Sequence, residues 1–268
     1  MRVLVTGGAG YIGSHMTRLL ADRGHSVVVV DDLRRGNRKA VDERATFAPL
    51  DVSDVGALTA LLVDHRIECV MHFAALAYVA ESVEKPLDYY RNNVSGGFAL
   101  LEAVSRAKVG RMVFSSSCAT YGVPESLPIV EELPQRPINP YGWSKLFMEQ
   151  ALRDLHAKRP DFAFAALRYF NVCGASSDGK LGEDHRPETH VIPRFLFAAL
   201  GRLKNEGPLK IFGTDYDTPD GTCVRDYIHV ADLADAHLRA LDATAHSDTR
   251  TAEALVCNLG NGDGFSVR

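Results

Sequence analysis

Four glycines fall within the eight residues Thr6-Gly7-Gly8-Ala9-Gly10-Tyr11-Ile12-Gly13, between a short apolar run and a helical pattern. Arg2–Thr6 reads as a buried strand, rich in Val and Leu and stopped by Gly7-Gly8. Tyr11–Arg23 has helical spacing through Ile12, Met16, Leu19 and Leu20 and ends at Gly24. Ser26–Asp31 carries four consecutive valines, as a strand buried on both faces does. Gly8, Gly10 and Gly13 satisfy G-x-G-x-x-G, and Gly7, Gly10 and Gly13 satisfy G-x-x-G-x-x-G. Glycine is needed where the turn after a strand is tight, the backbone approaches a pyrophosphate, and the helix packs close to the sheet. The diphosphate then sits on the helix N-terminal amides. Asp31 closes the second strand 18 residues after Gly13. Its carboxylate can accept from both adenosine ribose hydroxyls and repels a 2′-phosphate, so NAD is expected rather than NADP. Arg34 and Arg35 lie close by and read as a solvated loop.

The alternation continues. Thr46–Leu50, Glu68–Ala74, Arg111–Ser115 and Phe162–Leu167 are strand candidates, with helical stretches near Asp54–Val63, Tyr89–Lys108 and Tyr141–Lys158. Near-continuous apolar strands alternating with helices predict an α/β fold, a doubly wound, Rossmann-like parallel sheet covered on both faces. After about Asn171 the rhythm breaks into loops at Ala175–Thr189 and Thr214–Thr222. Helices are expected near Ile192–Asn205 and Val230–Ala243, with short strands near Lys210–Phe212 and Leu255–Asn258. The expected division is a dinucleotide-binding domain over 1–172 and a smaller substrate lobe over 173–268.

Composition closes off other classes. A net charge of −4 argues against a nucleic-acid binder, and no apolar run approaches a membrane span. The five cysteines are scattered and odd in number, with no pair at metal-clip spacing, so reduced thiols in a cytoplasmic protein and no metal are expected.

Tyr141-Gly142-Trp143-Ser144-Lys145 opens the helical pattern after Pro140. Tyr141 and Lys145 are i and i+4 on one face. A free tyrosine is a poor base at neutral pH, and an ammonium beside it stabilises the phenolate. Such a pair on its own is commonly just a helix surface. Ser115-Ser116-Ser117 ends a strand, where a hydroxyl can reach a reacting oxygen in the ligand crevice or merely satisfy backbone groups.

The glycine loop, Asp31, the serine run and Tyr141-x-x-x-Lys145 together resemble the extended short-chain dehydrogenase/reductase superfamily. His72-Phe73-Ala74-Ala75, Tyr89 to Val94, Arg168 to Asn171, Val191-Ile192-Pro193 and Phe212 to Val230 resemble the UDP-glucose 4-epimerase family within it. The resemblance runs the length of the chain. It implies that Gly7, Gly10, Tyr11, Ile12 and Gly13 hold the NAD pyrophosphate. Asp31, Asp32, Leu33 and Gly36 would hold the ribose, Asp51 and Val52 the adenine, and Phe73, Ala74, Ala75 and Asn92 further parts of the cofactor. Tyr141 and Lys145 would be the catalytic pair, assisted by Ser117, with Phe170 near the nicotinamide. Ser117, Tyr141, Asn171, His190, Val191, Phe212 and Arg225 would meet the UDP-sugar.

The resemblance also implies a homodimer built from the helices near Tyr89–Lys108 and Tyr141–Lys158. It implies a helical tail after the Asn258-Leu259-Gly260 strand that completes the diphosphate clamp. Because Phe265-Ser266-Val267-Arg268 looks like the start of a further element, the expectation is a truncated form with an under-packed second lobe that holds NAD and turns over slowly. Competing readings are a uronate epimerase, dehydratase or decarboxylase of the same superfamily, or an NAD-binding protein or fragment impaired in chemistry. A dehydratase needs an acid pair after the serines, where Cys118 and Ala119 stand.

Overall fold

The computed structural model describes residues 1–203, 209–244 and 254–268. The sheet begins with β1 (Arg2–Thr6), β2 (Ser26–Val30), β3 (Thr46–Ala48), β4 (Cys69–His72), β5 (Arg111–Ser117) and β6 (Ala163–Tyr169). The helices between them are α1 (Tyr11–Asp22), α2 (Val55–Asp64), α3 (Val79–Glu84), α4 (Pro86–Tyr89), α5 (Gly96–Arg106) and α6 (Pro140–Lys158). Then follow β7 (Asn171–Cys173), α7 (Val191–Ala199), β8 (Val224–Arg225), β9 (Tyr227–His229), α8 (Val230–Ala243), β10 (Ala254–Leu259) and β11 (Phe265–Ser266).

Seven strands lie in the order β10-β6-β5-β4-β1-β2-β3, all parallel. Side chains alternate across this sheet, so one set of buried residues serves each face. Val3, Val5, Val27 and Val29 pack with Met16 and Leu20 of α1 and Leu233, Leu238 and Leu241 of α8. Leu4, Val28 and Val30 pack on the other face with residues of α2, α5 and α6, among them Leu58, Leu100 and Leu152. Burial on both faces is why the four valines form one unbroken run. The strand order reverses direction between β1 and β4, and ligands of such sheets bind at that reversal, beyond the carboxyl ends of the strands.

Several expectations differ from the structure. The helix expected over Tyr89–Lys108 is interrupted by a π-helical turn at Tyr90–Ser95 before α5 begins. Residues 210–212 form no strand; they are irregular, and Phe212 is 80 % exposed. The helix expected to reach Asn205 ends at Ala199, and Asn205 itself lies outside the described residues. Phe265 and Ser266 pair antiparallel with β8, and β7 pairs with β9. The strand expected at Leu255–Asn258 does form, but as β10 beside β6 in the main sheet. With α8 on the same core, the main layer takes residues from both sides of the expected boundary after 172. In α7 only Pro193 is buried, and Phe195, Leu196 and Leu200, which follows the helix, are exposed. Among the described residues, no helix is long and apolar enough to cross a membrane.

Candidate active site

The glycine loop leaves β1 through Gly7, whose φ of +73° lies in the left-handed region. A Cβ there would come within 2.5 Å of the Ala74 amide, and one on Gly13 would collide with the Gly7 carbonyl. The Gly7 amide donates to the Val30 carbonyl (2.8 Å), and that of Gly10 to the Gly7 carbonyl (3.1 Å). This sets Gly10 at the N-cap of α1 with no capping side chain. The first-turn amides of Tyr11, Ile12 and Gly13 therefore have no carbonyl one turn back in the helix, and the helix dipole favours an anion there.

Asp31 follows β2 directly and is buried. Its Oδ2 accepts from the Ala9 amide (3.0 Å) and its Oδ1 from Leu33 (2.8 Å). Burial raises its pKa, and these two amides act against that rise. A carboxylate has about four acceptor sites, so two remain for vicinal hydroxyls. A Cβ on Gly36 would sit 2.8 Å from Asp31 Oδ1, so glycine keeps that side open.

The two arginines beyond are exposed, as a solvated loop requires, and both are also ion-paired. Arg34 pairs with Asp32, reaches Asp51 (3.4 Å) and donates to Asn92 Oδ1 (2.8 Å). Arg35 binds Glu81 (2.8 Å). Both line a cleft of about 440 Å³ with Asp51, Ser53, Leu76 and Asn92. Val52 is buried in the core, while Phe73 and Ala74 are partly buried at the end of β4 and pack against the two core faces. Ala75 follows them, also half-buried. Asn92 reaches the cleft because the π-helical turn widens the helix here. The same turn aims Asn93 at the backbone of Leu76 (2.8 and 2.9 Å) and at Ser144 Oγ (3.0 Å).

Ser117 is the last residue of β5, and Tyr141 and Lys145 occupy the first turns of α6. Asn139 caps that helix by accepting from the Gly142 amide (2.8 Å), and Pro140 supplies a pre-set first residue. Lys145 Nζ donates to the Ser115 carbonyl (2.7 Å) and lies 5.7 Å from the centre of the Tyr141 ring. Burial lowers the Lys145 pKa to about 7. It pushes Tyr141 up to about 12, against the opposing hydrogen bond with Ser117. The three side chains thus meet at the carboxyl end of the sheet. Neighbouring His72 is buried, hydrogen-bonded to Thr6 Oγ1 (2.7 Å), and lowered to about 3 by burial and then by Lys145. Ser115 bonds the Tyr169 hydroxyl.

Behind the pair lies a polar network that sequence reasoning missed. Glu149, fully buried one turn beyond Lys145, accepts from Arg168 Nε (2.9 Å) and Nη2 (2.7 Å) and from Ser116 Oγ (2.6 Å). Arg168 Nη1 donates to the Tyr121 hydroxyl (2.7 Å), which donates to Asn258 Oδ1 (2.8 Å). The network ties α6 to β5, β6 and β10. A charged residue four positions after Lys145 on the buried stripe was its only sequence signal.

On the expected substrate side, Phe170 follows β6, partly buried, in contact range of Gly260. The Asn171 side chain donates to the Asp226 carbonyl (3.0 Å). Arg225 is exposed and donates to the Val224 carbonyl (2.9 Å). The Asp226 carboxylate accepts instead from the amides of Asn261 (2.9 Å) and Gly262 (3.0 Å). Arg225 lies close enough to Cys118 to offset part of the burial that pushes that thiol up to about 11. This brings it towards the end of β5. His190 bonds Glu183, and Val191 is the first residue of α7. Phe212 stands out in solvent and is not brought against the others.

Residues 3–257 match the NAD dependent epimerase/dehydratase family. A UDP-glucose 4-epimerase of Lactobacillus helveticus is 52 % identical over 99 % of this chain and 78 % of its own length. One from Azospirillum brasilense is 51 % identical over 100 % and 74 %. The crystal structure of the Brucella ovis UDP-glucose 4-epimerase in complex with NAD superposes with a TM-score of 0.93 at 50 % identity, covering 100 % of this chain and 79 % of that one. A family match over most of its length, relatives at 52 % and 51 % identity and a superposition at a TM-score of 0.93 show that this chain belongs to the NAD dependent epimerase/dehydratase family.

Proposed function

We propose that the chain is a UDP-sugar 4-epimerase that interconverts UDP-glucose and UDP-galactose with a tightly held NAD. The observation that carries this reading is the convergence of Ser117, Tyr141 and Lys145 at the carboxyl end of β5, beside a cradle that admits a diphosphate and a ribose diol. The uncapped α1 N-terminus, the two free acceptor sites of Asp31 and the space kept by Gly36 fit NAD. Gly7, Gly10, Tyr11, Ile12 and Gly13 take its diphosphate. Asp31, Asp32, Leu33 and Gly36 take the adenosine ribose, Asp51 and Val52 lie at the adenine, and Asn92 stands further along the cofactor. Phe73, Ala74, Ala75, Tyr141, Lys145 and Phe170 lead to the nicotinamide end. NAD, when bound, supplies the centre that accepts and returns hydride at the sugar C4.

The chain's own part is proton movement and placement. Tyr141 takes the proton of the 4-hydroxyl and gives it back to the same oxygen of the 4-keto sugar when hydride is returned to the other face of C4. Lys145, fixed by the Ser115 carbonyl, stabilises the phenolate. Ser117 bridges the sugar oxygen and Tyr141, and its hydrogen bond lowers the phenol pKa against the effect of burial. Arg225 meets the diphosphate, matching it bidentately, while Asn171, His190 and Val191 line the UDP-sugar path. Residues 1–172, with β10 and α8, serve the cofactor, and the rest of 173–268 serves the substrate. A dehydratase reading is disfavoured by Cys118 and Ala119 after the serines.

The exposed rings of Trp143 and Phe147 on α6, with half-buried Tyr90 packed against Phe147, and the exposed Phe98 on α5 support a homodimer through α5 and α6. The Trp143 and Phe147 rings are 5.8 Å apart and those of Tyr90 and Phe147 6.3 Å. The scattered free thiols fit the cytoplasm. Incubation of the purified chain with UDP-galactose, without added NAD, should yield UDP-glucose. Retained NAD without any product would identify a cofactor-binding protein instead, and a deoxygenated product would identify a dehydratase.

A further inference from the structure

We propose that Glu183, His185, Glu188 and His190 bind a divalent first-row transition ion of the zinc type, which fastens the loop between β7 and α7 beside the glycine cradle. The four residues form the pattern Glu-x-His-x-x-Glu-x-His. Each offers one ligand atom, and all four atoms lie within 4.8 Å of one another. Bonds of about 2.0–2.2 Å place tetrahedral ligand atoms about 3.3–3.6 Å apart, and the separations of 3.0 Å (His185–Glu183), 3.8 Å (His185–Glu188) and 3.9 Å (His190–Glu188) lie around that value, so small side-chain adjustments bring the atoms onto one ion.

Burial supplies the second observation. Only 3 % of the Glu188 side chain is exposed. Its Oε1 accepts from the His190 amide (2.8 Å), but its Oε2 is buried with no hydrogen-bond partner. His185 Nδ1 lies 3.0 Å from Glu183 Oε1, which it helps to hold as a carboxylate, and 3.8 Å from Glu188 Oε2, too far for a hydrogen bond. Atoms that approach one another without donor alignment are what ligands aimed at a common centre look like. A pair of hydrogen-bonded His–carboxylate braces accounts for the contact between His190 and Glu183. It leaves Glu188 Oε2 unexplained, and a buried unpaired oxygen is costly. Two imidazoles among four ligands select zinc-type ions over calcium or magnesium, which take oxygen.

The surroundings give the ion a mechanical role. The rings of Tyr11 and Tyr78 stand edge-on to His185, with centroids 6.3 and 5.8 Å away. The Tyr11 hydroxyl donates to the Gly174 carbonyl (2.6 Å), at the start of the same loop, and that of Tyr78 to Pro187 (3.2 Å). A cleft of about 240 Å³, lined by Gly10, Tyr11, Ser14, Glu183 and His185, opens alongside. An ion here couples the loop that carries His190 to the turn that carries Tyr11.

The test uses the full, tag-free chain, stripped with a chelator and titrated with Co²⁺ and then Zn²⁺. One cobalt per chain, with the intense visible absorption of a four-coordinate site, is expected. Zinc should displace it and raise Tm, whereas Mg²⁺ and Ca²⁺ should do neither. Glu188→Gln keeps the side chain's size, and His185→Ala removes one ligand. Each should weaken cobalt binding by more than about tenfold, since even partners outside the ligand set cost that much. Far-UV circular dichroism and NAD retention check folding of both variants. If the wild type shows no such absorption and no zinc-dependent Tm shift, or if both variants bind as well as it does, the proposal is overturned and the four side chains are a hydrogen-bonded brace. The wild-type titration decides even if a variant fails to fold.

Discussion

Burial disfavours charge on both members of the pair, holding Tyr141 up at about 12 and Lys145 down at about 7. The cofactor-free site therefore keeps a protonated phenol beside a lysine that titrates near neutrality, and a base is available only when further positive charge arrives. Tyr141→Phe removes the proton acceptor and keeps the ring. Turnover should fall by at least about 100-fold, with NAD still released on denaturation; near-normal turnover would remove Tyr141 from its role. Lys145 also leaves a mark on stability. Below its folded value both folded and unfolded chains hold the proton, and the cost of burying the ammonium is present in full. Between about 7 and its ordinary 10.5 the unfolded chain binds more protons, so stability rises with pH in that window. Thermal melts of the cofactor-free chain should show a rise that Lys145→Met lacks, and equal slopes would contradict it. The glycines, Asp31, Tyr141 and Lys145 were legible because local spacing fixes each one. Arg34 was not, because its partner Asn92 lies 58 positions away. Nor were Glu183, His185 and Glu188, whose spacing is plain but whose convergence depends on how the loop closes.

At the scale of elements, α6 is positioned as much by Glu149 as by its apolar stripe. Glu149→Ala leaves Arg168 buried without its partner, and the expected loss is about 3–5 kcal/mol in urea denaturation. The double change Glu149→Leu with Arg168→Met should recover most of that stability. A double variant no more stable than the single one would show that the network does more than neutralise charge. The π-helical turn at Tyr90–Ser95 was hidden within a helical pattern. Its widened turn is decided by where Asn93 finds Leu76 and Ser144, and periodicity carries no trace of that. The apolar pair Ile211-Phe212 looked like a strand but pairs with no strand among the described residues and is irregular.

At the scale of the whole molecule, the exposed aromatic patch on α5 and α6 predicts a definite assembly. Phe98→Glu combined with Phe147→Glu should turn a dimer into a monomer in sedimentation, with NAD retained. A wild-type chain that sediments as a monomer would refute the interface. The parallel, doubly wound class was legible from the alternation of apolar runs and helices. The membership of β10 was not, because its six residues read as a strand without naming a neighbour. Its place has a consequence for how the chain is made. β6 pairs in register with β5 as soon as both exist, but its other edge waits for Ala254 to meet Phe164, 90 positions earlier. During synthesis that edge, which carries Phe164, Ala165, Ala166 and Leu167, is open to any passing strand until β10 emerges. The interval between making β6 and making β10 is thus the period of greatest exposure to aggregation. Chaperone dependence of the nascent chain should rise once β6 is out and fall when β10 docks.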